Sequence, residues 1–318
     1  MQHALYLEHV TKEYDGHRAV DDLNIAIPRG SIYGILGPNG AGKSSTIRTA
    51  LNILSRDGGT VRILGVDPAD EPSVLRRVGY LPEERGLYRT MRVLDVIVFF
   101  ARLKGVERSE ARREGARWLE RLGLEEWART RVDALSKGMQ QKVQFVTTIL
   151  HRPDLLFLDE PSAGLDPVNQ DLLRDTIIGV REEGRTVVFS THNMAEAERL
   201  CDSVCIISRG QKVLDGSLEE IRRANLGNCW RIEYHEAPVA ASELFARTDL
   251  FEGVTTLRKG WEVILPPGVS SRELFARLAT FEAVPSCFEQ VEPSLHEIFV
   301  RNVGDVAANP PKRDGRDA

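Results

Sequence analysis

The stretch GPNGAGKSS, Gly37–Ser45, carries a GxxxxGKS pattern between an apolar run, SIYGIL at Ser31–Leu36, and a helical spacing from about Lys43 to Leu54. In that strand–loop–helix context the pattern acts as a phosphate cradle. Glycines let the backbone wrap phosphates with its N–H groups turned inward, and the helix N-terminus adds partial positive charge. Gly37, Pro38, Asn39, Gly40, Ala41, Gly42, Lys43, Ser44 and Ser45 are therefore the candidate binding residues. Lys43 is placed to reach the terminal phosphates, and the Ser44 hydroxyl to ligate Mg²⁺. A structural turn of this composition is the weaker reading.

The run DLLFLDE ends in Asp159 and Glu160. A carboxylate at the C-terminal tip of a buried parallel strand lies where open α/β sheets bind ligands. Alone, the pair reads as a helix cap. Beside a phosphate loop, Asp159 reads as a holder of the Mg²⁺ shell, and Glu160 as general base or positioner of an attacking water. His192 closes another such run, RTVVFSTH; taken alone, a strand-end histidine is more often structural.

Such groups need a sheet to carry them, and the pattern supplies one. ALYLEHV (Ala4–Val10) and LNIAI (Leu23–Ile27) alternate as half-buried strands do. Ser31–Leu36, Asp154–Asp159 and Arg185–Ser190 are continuous apolar runs, as buried central strands are. Between them, residues 90–151 read as a helical insert. Its apolar positions are Val93, Val96, Ile97, Phe100 and Leu103, then Ala116, Leu119, Leu122 and Leu124. Asp166 and Pro167 open a later helix, and Asn193 and Glu196 have capping-box spacing before the next.

The chain has 318 residues, enough for a large domain and a smaller one. With 42% hydrophobic and 28% charged residues it is globular in composition, and a net charge of −5 argues against a nucleic-acid partner. Cys201, Cys205, Cys229 and Cys287 form no CxxC pair and read as buried or idle thiols. No segment approaches the ~20 apolar residues of a membrane span. Asp95 interrupts the most apolar stretch, Val93–Ala101, and the first residues do not read as a signal peptide. A cytoplasmic location is the resulting expectation.

The expected organisation is an α/β phosphate-loop core with an antiparallel β subdomain and the helical insert over 1–226, an accessory domain over 227–302, and a disordered tail over 303–318. The accessory segment reads strand–helix–strand–strand–helix–strand, the order of a ferredoxin-like α+β sandwich. ELFAR occurs at Glu243–Arg247 and again at Glu273–Arg277, 30 residues on. Two pseudo-symmetric halves and chance in an Ala/Arg/Glu/Leu-rich chain explain the repetition equally well. Ser294 and Glu297 cap a last helix.

Further motifs fall in fixed order around these: LSKGMQQKVQF from Leu135, SAGLD ending at Asp166, and STH ending at His192. With them the sequence resembles the ATP-binding subunits of ABC transporters over roughly residues 1–220. The resemblance implies an ATPase using ATP and Mg²⁺, built as a face-to-face dimer, homomeric or paired with another ATPase subunit. It would work peripherally, on the cytoplasmic face of the membrane, under integral-membrane permease subunits. It implies that Tyr14 stacks on adenine, and that Ser136 and Gly138 of the signature loop cap the γ-phosphate held by the other subunit. It also implies that Asp166 lies in the loop crossing the interface and that His192 contacts the γ-phosphate and the attacking water. Two positions depart from the family pattern. Lys137 and Met139 stand in the signature where LSGGQ is usual, and Lys137 either adds a cation near the partner's nucleotide or points to solvent. Glu83, in GYLPEERGLY at Gly79–Tyr88, stands where glutamine helps hold Mg²⁺; glutamate can also ligate Mg²⁺.

These departures and the accessory domain resemble the subgroup serving ABC-2-type exporters. In the family a short helix of the membrane protein docks in a groove, here lined by Arg85–Met91 with Val93 and Leu94 behind; Tyr88 and Met91 are expected to be partly exposed. A soluble ABC-type ATPase acting on a nucleoprotein machine is the alternative. The single phosphate loop, and only 93 residues between Lys43 and Ser136, argue against it. The accessory domain reads as dimer support before ligand sensor.

Overall fold

The computed structural model describes residues 3–308 except 85, 237–238, 248–249, 267 and 281–283. β1 (His3–Tyr14) and β2 (His17–Pro28) form an antiparallel hairpin that buries Leu5, Leu7 and Val10 with Leu23, Ile25 and Ile27. β3 (Ile32–Leu36) is buried at every position and leads through the phosphate loop into α1 (Lys43–Ala50). The helix stops short of the expected Leu54. Asn52 takes a left-handed backbone, φ 54°, which a short polar residue tolerates and a helix cannot continue through. β4 (Gly58–Ile63) pairs with β1 and completes a three-stranded antiparallel sheet, β2-β1-β4.

β5 (Val78–Leu81) precedes three helices, α2 (Val93–Leu103), α3 (Arg108–Arg121) and α4 (Lys137–Ile149). They share a core of their own around Val93, Val96, Ile97, Leu119, Val143 and Val146. The inner face of α3 is Ala111, Gly115 and Leu119, one turn apart; Ala116, expected inside, is exposed. Gly115 keeps this contact close, since an added Cβ would sit 3.0 Å from Ile97 Cγ2 and 3.2 Å from Leu94 Cδ1 and push those side chains back by a few tenths of an ångström. On α2, Leu103 is 64% exposed and Phe100 is half-buried.

β6 (Leu155–Asp159), α5 (Pro167–Glu182), β7 (Thr186–Thr191), α6 (Met194–Leu200), β8 (Ser203–Ser208) and β9 (Gln211–Ser217) complete a six-stranded sheet. Its order is β5-β6-β7-β3-β8-β9, parallel except for β9. Because β7 lies between β3 and β6, the ends of these strands bring the phosphate loop, Asp159–Glu160 and His192 side by side. Asp159 is level with Ser190 and Leu36 with Thr191.

The chain divides into two compact units, Met1–Leu218 with the stretch from Asn302, and Glu219–Arg301. The second holds α7 (Leu218–Ala224) after its first residue, β10 (Cys229–Glu233), α8 (Val239–Phe245), β11 (Gly253–Leu257), β12 (Gly260–Ile264), α9 (Ser271–Leu278) and β13 (Cys287–Gln290). The antiparallel sheet order, β11-β12-β10-β13, is that of a ferredoxin-like sandwich. The two ELFAR copies fall on α8 and α9 but turn different residues inward. Phe245 is buried beside Ala241 in the first, Leu274 beside Leu278 in the second, where Phe275 is 52% exposed. The apolar residue four positions away, outside the pentapeptide in both cases, sets the buried face. A final helix, α10 (Leu295–Ala308), runs beyond the expected start of the tail at 303. No residue of VGDVAA bars a helix, its one glycine costing only about 1 kcal/mol against alanine. The remaining tail residues, 309–318, lie outside the described residues.

After α4, His151 donates from Nε2 to Val78 O at 3.2 Å, while its buried Nδ1 has no partner. Protonating Nδ1 would bury an unpaired N–H beside the cationic Lys104. Burial and then that charge hold the imidazole down at about 4. The folded chain therefore stays neutral here while the unfolded chain, near 6.5, gains a proton, and stability present above pH 6.5 is lost as pH falls toward 4. His151→Gln keeps a donor for Val78 O and should flatten this part of the profile. Urea melts at pH 7 and pH 5 should differ less for the variant, by at most ~2 kcal/mol; equal slopes would show that His151 does not titrate in this window.

Candidate active site

The loop between β3 and α1 depends on two glycines. Gly37 and Gly42 have φ of 151° and 105°, and a Cβ on either would lie 2.2 Å from a carbonyl oxygen, of Ile207 and Ala19 respectively. Only glycine takes both the backbone and the close approach. Lys43 opens α1, is 6% exposed, and folds back to donate from Nζ to Gly37 O at 2.8 Å and Pro38 O at 3.3 Å. A cavity of about 270 Å³ lies over the loop, lined by Ala19, Asn39, Gly40, Ala41, Gly42, Lys43, Ser44, Ser45, Glu83 and Glu160.

Glu160 sits just past β6 with φ 48°, an uncommon backbone for a residue with a side chain. Its N–H donates to Ser190 O at 3.1 Å and to Ser190 Oγ at 3.2 Å, which hold the strained turn. The carboxylate, in a residue 8% exposed, lies 3.4 Å from Lys43 Nζ and accepts from His192 Nδ1 at 3.0 Å on both oxygens. A carboxylate can only accept, so Nδ1 carries the proton and Nε2 remains for a second partner. Lys43, Glu160 and His192 thus form one contiguous group.

Asp159 is fully buried. Its Oδ1 accepts from Ser190 Oγ at 2.5 Å, while its buried Oδ2 has no protein partner. An orphaned buried carboxylate oxygen is costly unless something binds it. With the Ser44 hydroxyl and the exposed Glu83 carboxylate in the cavity wall, the donors are all oxygen, the set that suits Mg²⁺. The residues present fit that ion.

Four residues expected from sequence, Tyr14, Ser136, Gly138 and Asp166, neither line this cavity nor hydrogen-bond to the Lys43–Glu160–His192 group. Tyr14, 39% exposed at the end of β1, has Lys12 Nζ 5.3 Å from its ring centroid. Ser136 is the exposed N-cap of α4, its Oγ accepting from Met139 N at 3.3 Å, with Gly138 half-buried behind it and Lys137 turned to solvent. Asp166, exposed, caps α5; the Asn169 backbone N–H holds its carboxyl below the usual range.

Sequence reasoning missed the side chains that brace the site from behind. Ser190 fills one oxygen of Asp159 and leaves the other open. Two buried glutamines of α4 reach the site loops: Gln141 Nε2 donates to Pro161 O at 3.1 Å, and Gln144 Nε2 to Glu84 O at 3.2 Å. The serine of STH was a usable signal for the first. The glutamines carry none, since their partners are 20 and 60 residues away.

Phosphate loop, acidic strand end and parallel sheet define a P-loop nucleoside-triphosphatase. The ABC transporter family matches residues 20–163, and the C-terminal domain of DrrA1-3-like ATP-binding proteins matches residues 216–303. The ABC transporter ATP-binding protein YhaQ of Bacillus subtilis is 39% identical over 305 residues, 95% of this chain and 99% of the relative. The daunorubicin/doxorubicin resistance ATP-binding protein DrrA of Streptomyces peucetius is 33% identical over 308 residues, 94% and 92% of the two chains. A solved ATP-binding subunit of an ABC transporter superposes with a TM-score of 0.66 at 32% identity, over 70% of this chain and 92% of that one. The chain belongs to the ATP-binding subunits of ABC transporters and is an ATPase. Among the described residues no helix is long and apolar enough to cross a membrane.

Proposed function

We propose that the chain is the motor of an exporter. ATP closes it face to face with a second copy or a second ATPase subunit, hydrolysis opens the pair, and separate permease subunits turn that cycle into translocation. The observation that carries the reading is a divided site. Lys43, Glu160 and His192 form one bonded group, Lys43 and Glu160 in the wall of the phosphate-loop cavity, while Ser136, Gly138 and Asp166 neither line that cavity nor hydrogen-bond to the group. In the closed pair Ser136 and Gly138 cap the γ-phosphate held by the other subunit, and Asp166 lies in the crossing loop. Lys43 and the loop N–H groups bind the β- and γ-phosphates, and Tyr14 stacks on adenine. Ser44, Asp159 and Glu83 would hold Mg²⁺, which would supply charge neutralisation on the phosphate oxygens. Glu160 orients the attacking water and accepts its proton, and His192 Nε2 meets the γ-phosphate. Export is supported by a Nod factor export ATP-binding protein of Cupriavidus metallidurans, 34% identical over 70% of this chain and 74% of that one, and drug resistance of the DrrA relative agrees with it.

Tyr88 is 54% exposed and Met91 half-buried, as the docking-groove expectation has them, whereas Arg85 lies outside the described residues. Tyr88 packs edge-on to Phe99 at 5.4 Å and stacks on Phe100 at 6.0 Å. Beside them a cavity of about 400 Å³ is lined by Pro82, Leu87, Phe100, Leu103 and Gln144 among others. An apolar, aromatic surface suits a docking helix. The tagged chain in its host cells should fractionate with membranes, and Tyr88→Ala with Met91→Ala should release it. Recovery of the wild-type chain with ribosomes or DNA and no membrane pool would overturn the reading.

A further inference from the structure

Asn193–Glu196 and Ser294–Glu297 share one spacing and use it differently. The second pair is reciprocal: Glu297 N donates to Ser294 Oγ at 3.3 Å and Ser294 N to Glu297 Oε2 at 2.8 Å. In the first, Asn193 Oδ1 accepts from Glu196 N at 3.3 Å, but Asn193 N donates to Thr191 Oγ1 at 3.1 Å. The Glu196 carboxylate turns away from the cap. Its Oε1 accepts from the Ser162 hydroxyl, and its Oε2 from the Thr191 hydroxyl at 3.2 Å. Both hydroxyl residues are buried, at 9% and 1% exposure. Ser162 follows Glu160 in the turn after β6, and Thr191 directly precedes His192 at the end of β7. One carboxylate therefore ties together the two segments that carry Glu160 and His192.

We propose that Glu196 is a positioning residue for ATP hydrolysis, bridging Ser162 to Thr191 and so holding the Glu160–His192 contact in register. The inference rests on the reading of Glu160 and His192 as the hydrolytic pair. Capping α6 does not require this arrangement, since the Asn193 side chain alone meets the Glu196 N–H. Burial pushes the Glu196 carboxyl above its ordinary range, against the two hydroxyl bonds, and Glu160 adds to the rise while His192 opposes it. A carboxylate is an unfavourable choice for a purely structural tie at this place. Two acceptor oxygens on one rigid planar group are what it contributes; beyond the last ladder pair, Asp159 with Ser190, they add a third tie between the segments to the Glu160 N–H bonds on Ser190 and the Glu160–His192 contact.

The test compares the full chain with Glu196→Ala, Glu196→Gln, Thr191→Val and Glu160→Gln. The readouts are kcat and KM for ATP, equilibrium binding of a fluorescent ATP analogue, and thermal melting. Glu196→Ala is expected to lower kcat about tenfold to a hundredfold, since small misplacements of reacting groups cost that much. Analogue affinity should stay within about twofold, the signature of a contribution made only in the transition state. Glu196→Gln keeps one acceptor oxygen, lets the Ser162 hydroxyl rotate to accept, and should recover most of the rate. Thr191→Val conserves shape, removes one arm, and should lower kcat non-additively with Glu196→Ala. A Glu196→Ala rate within about twofold of wild type overturns the proposal. So does a parallel loss of rate, affinity and melting temperature that Gln fails to rescue. Should Glu196→Ala not fold, an undiminished kcat in Thr191→Val overturns it instead. If Glu160→Gln turns over ATP at the wild-type rate, the hydrolytic pair is misassigned and the inference falls with it.

Discussion

Replacing Glu160 with Gln is expected to stop turnover while leaving ATP bound. The amide matches the carboxylate in size, so the turn at φ 48° and its anchors on Ser190 should survive. On the proposed mechanism, what disappears is the negative charge that draws a proton from the attacking water. It also draws the proton of His192 Nδ1, 3.0 Å away, so both members of the pair lose their orientation together. General-base contributions are typically 10²–10⁴-fold, so kcat should fall at least about 100-fold. If opening requires hydrolysis, this variant should accumulate as an ATP-stabilised dimer in light scattering, where the wild-type chain shows only a transient one. Retention of more than about a tenth of the wild-type rate would take the base role away from Glu160. Loss of turnover without a trapped dimer would instead argue against the trans-completed site.

Lys43→Ala should act one step earlier, on binding. The ammonium is 6% exposed, donates to Gly37 O and Pro38 O, and lies 3.4 Å from Glu160. Its charge is balanced by that carboxylate, and on the proposed function it stands ready for the phosphates. Truncation removes a charge-assisted bond to phosphate, worth about 1.5–3 kcal/mol, so ATP affinity should fall roughly tenfold to a hundredfold. It also leaves the Glu160 carboxylate buried without its cation, which is destabilising. The nucleotide-free variant should therefore melt below the wild-type chain, and ATP should no longer raise its melting temperature. Affinity within about threefold of wild type, by equilibrium binding of a fluorescent analogue, would show that Lys43 does not meet the phosphates.

The parts of the site that could be read directly are those whose chemistry is local. Gly37, Gly42, Lys43 and Ser44 lie on one loop, and the backbone demands of that loop are written in its own residue types. Asp159, Glu160 and His192 were readable because each closes an apolar run of strand length, and strand ends in a parallel sheet meet at one edge. Of the bracing residues, Ser190 alone had a signal, the STH motif; Gln141, Gln144 and Glu196 reach partners 20, 60 and 34 residues distant, and no spacing rule connects such pairs.

The same limit shows in the packing. Ala116 and Ala111 are equivalent in composition, but only the second faces α2. Identical ELFAR pentapeptides bury Phe245 in one helix and Leu274 in the other, because apolar neighbours outside the pentapeptide turn each helix. Local pattern by itself determined the phosphate chemistry, the alternation of strands and helices, and the order of the two domains, since each depends on residues within a few turns of one another. Tertiary structure alone decided which oxygen of Asp159 is left open, what holds Glu160 against His192, and whether a glutamate at capping distance caps its helix or bridges two strands. The free energy of a buried polar group depends on what the fold sets beside it, and that neighbour is encoded far away in the chain.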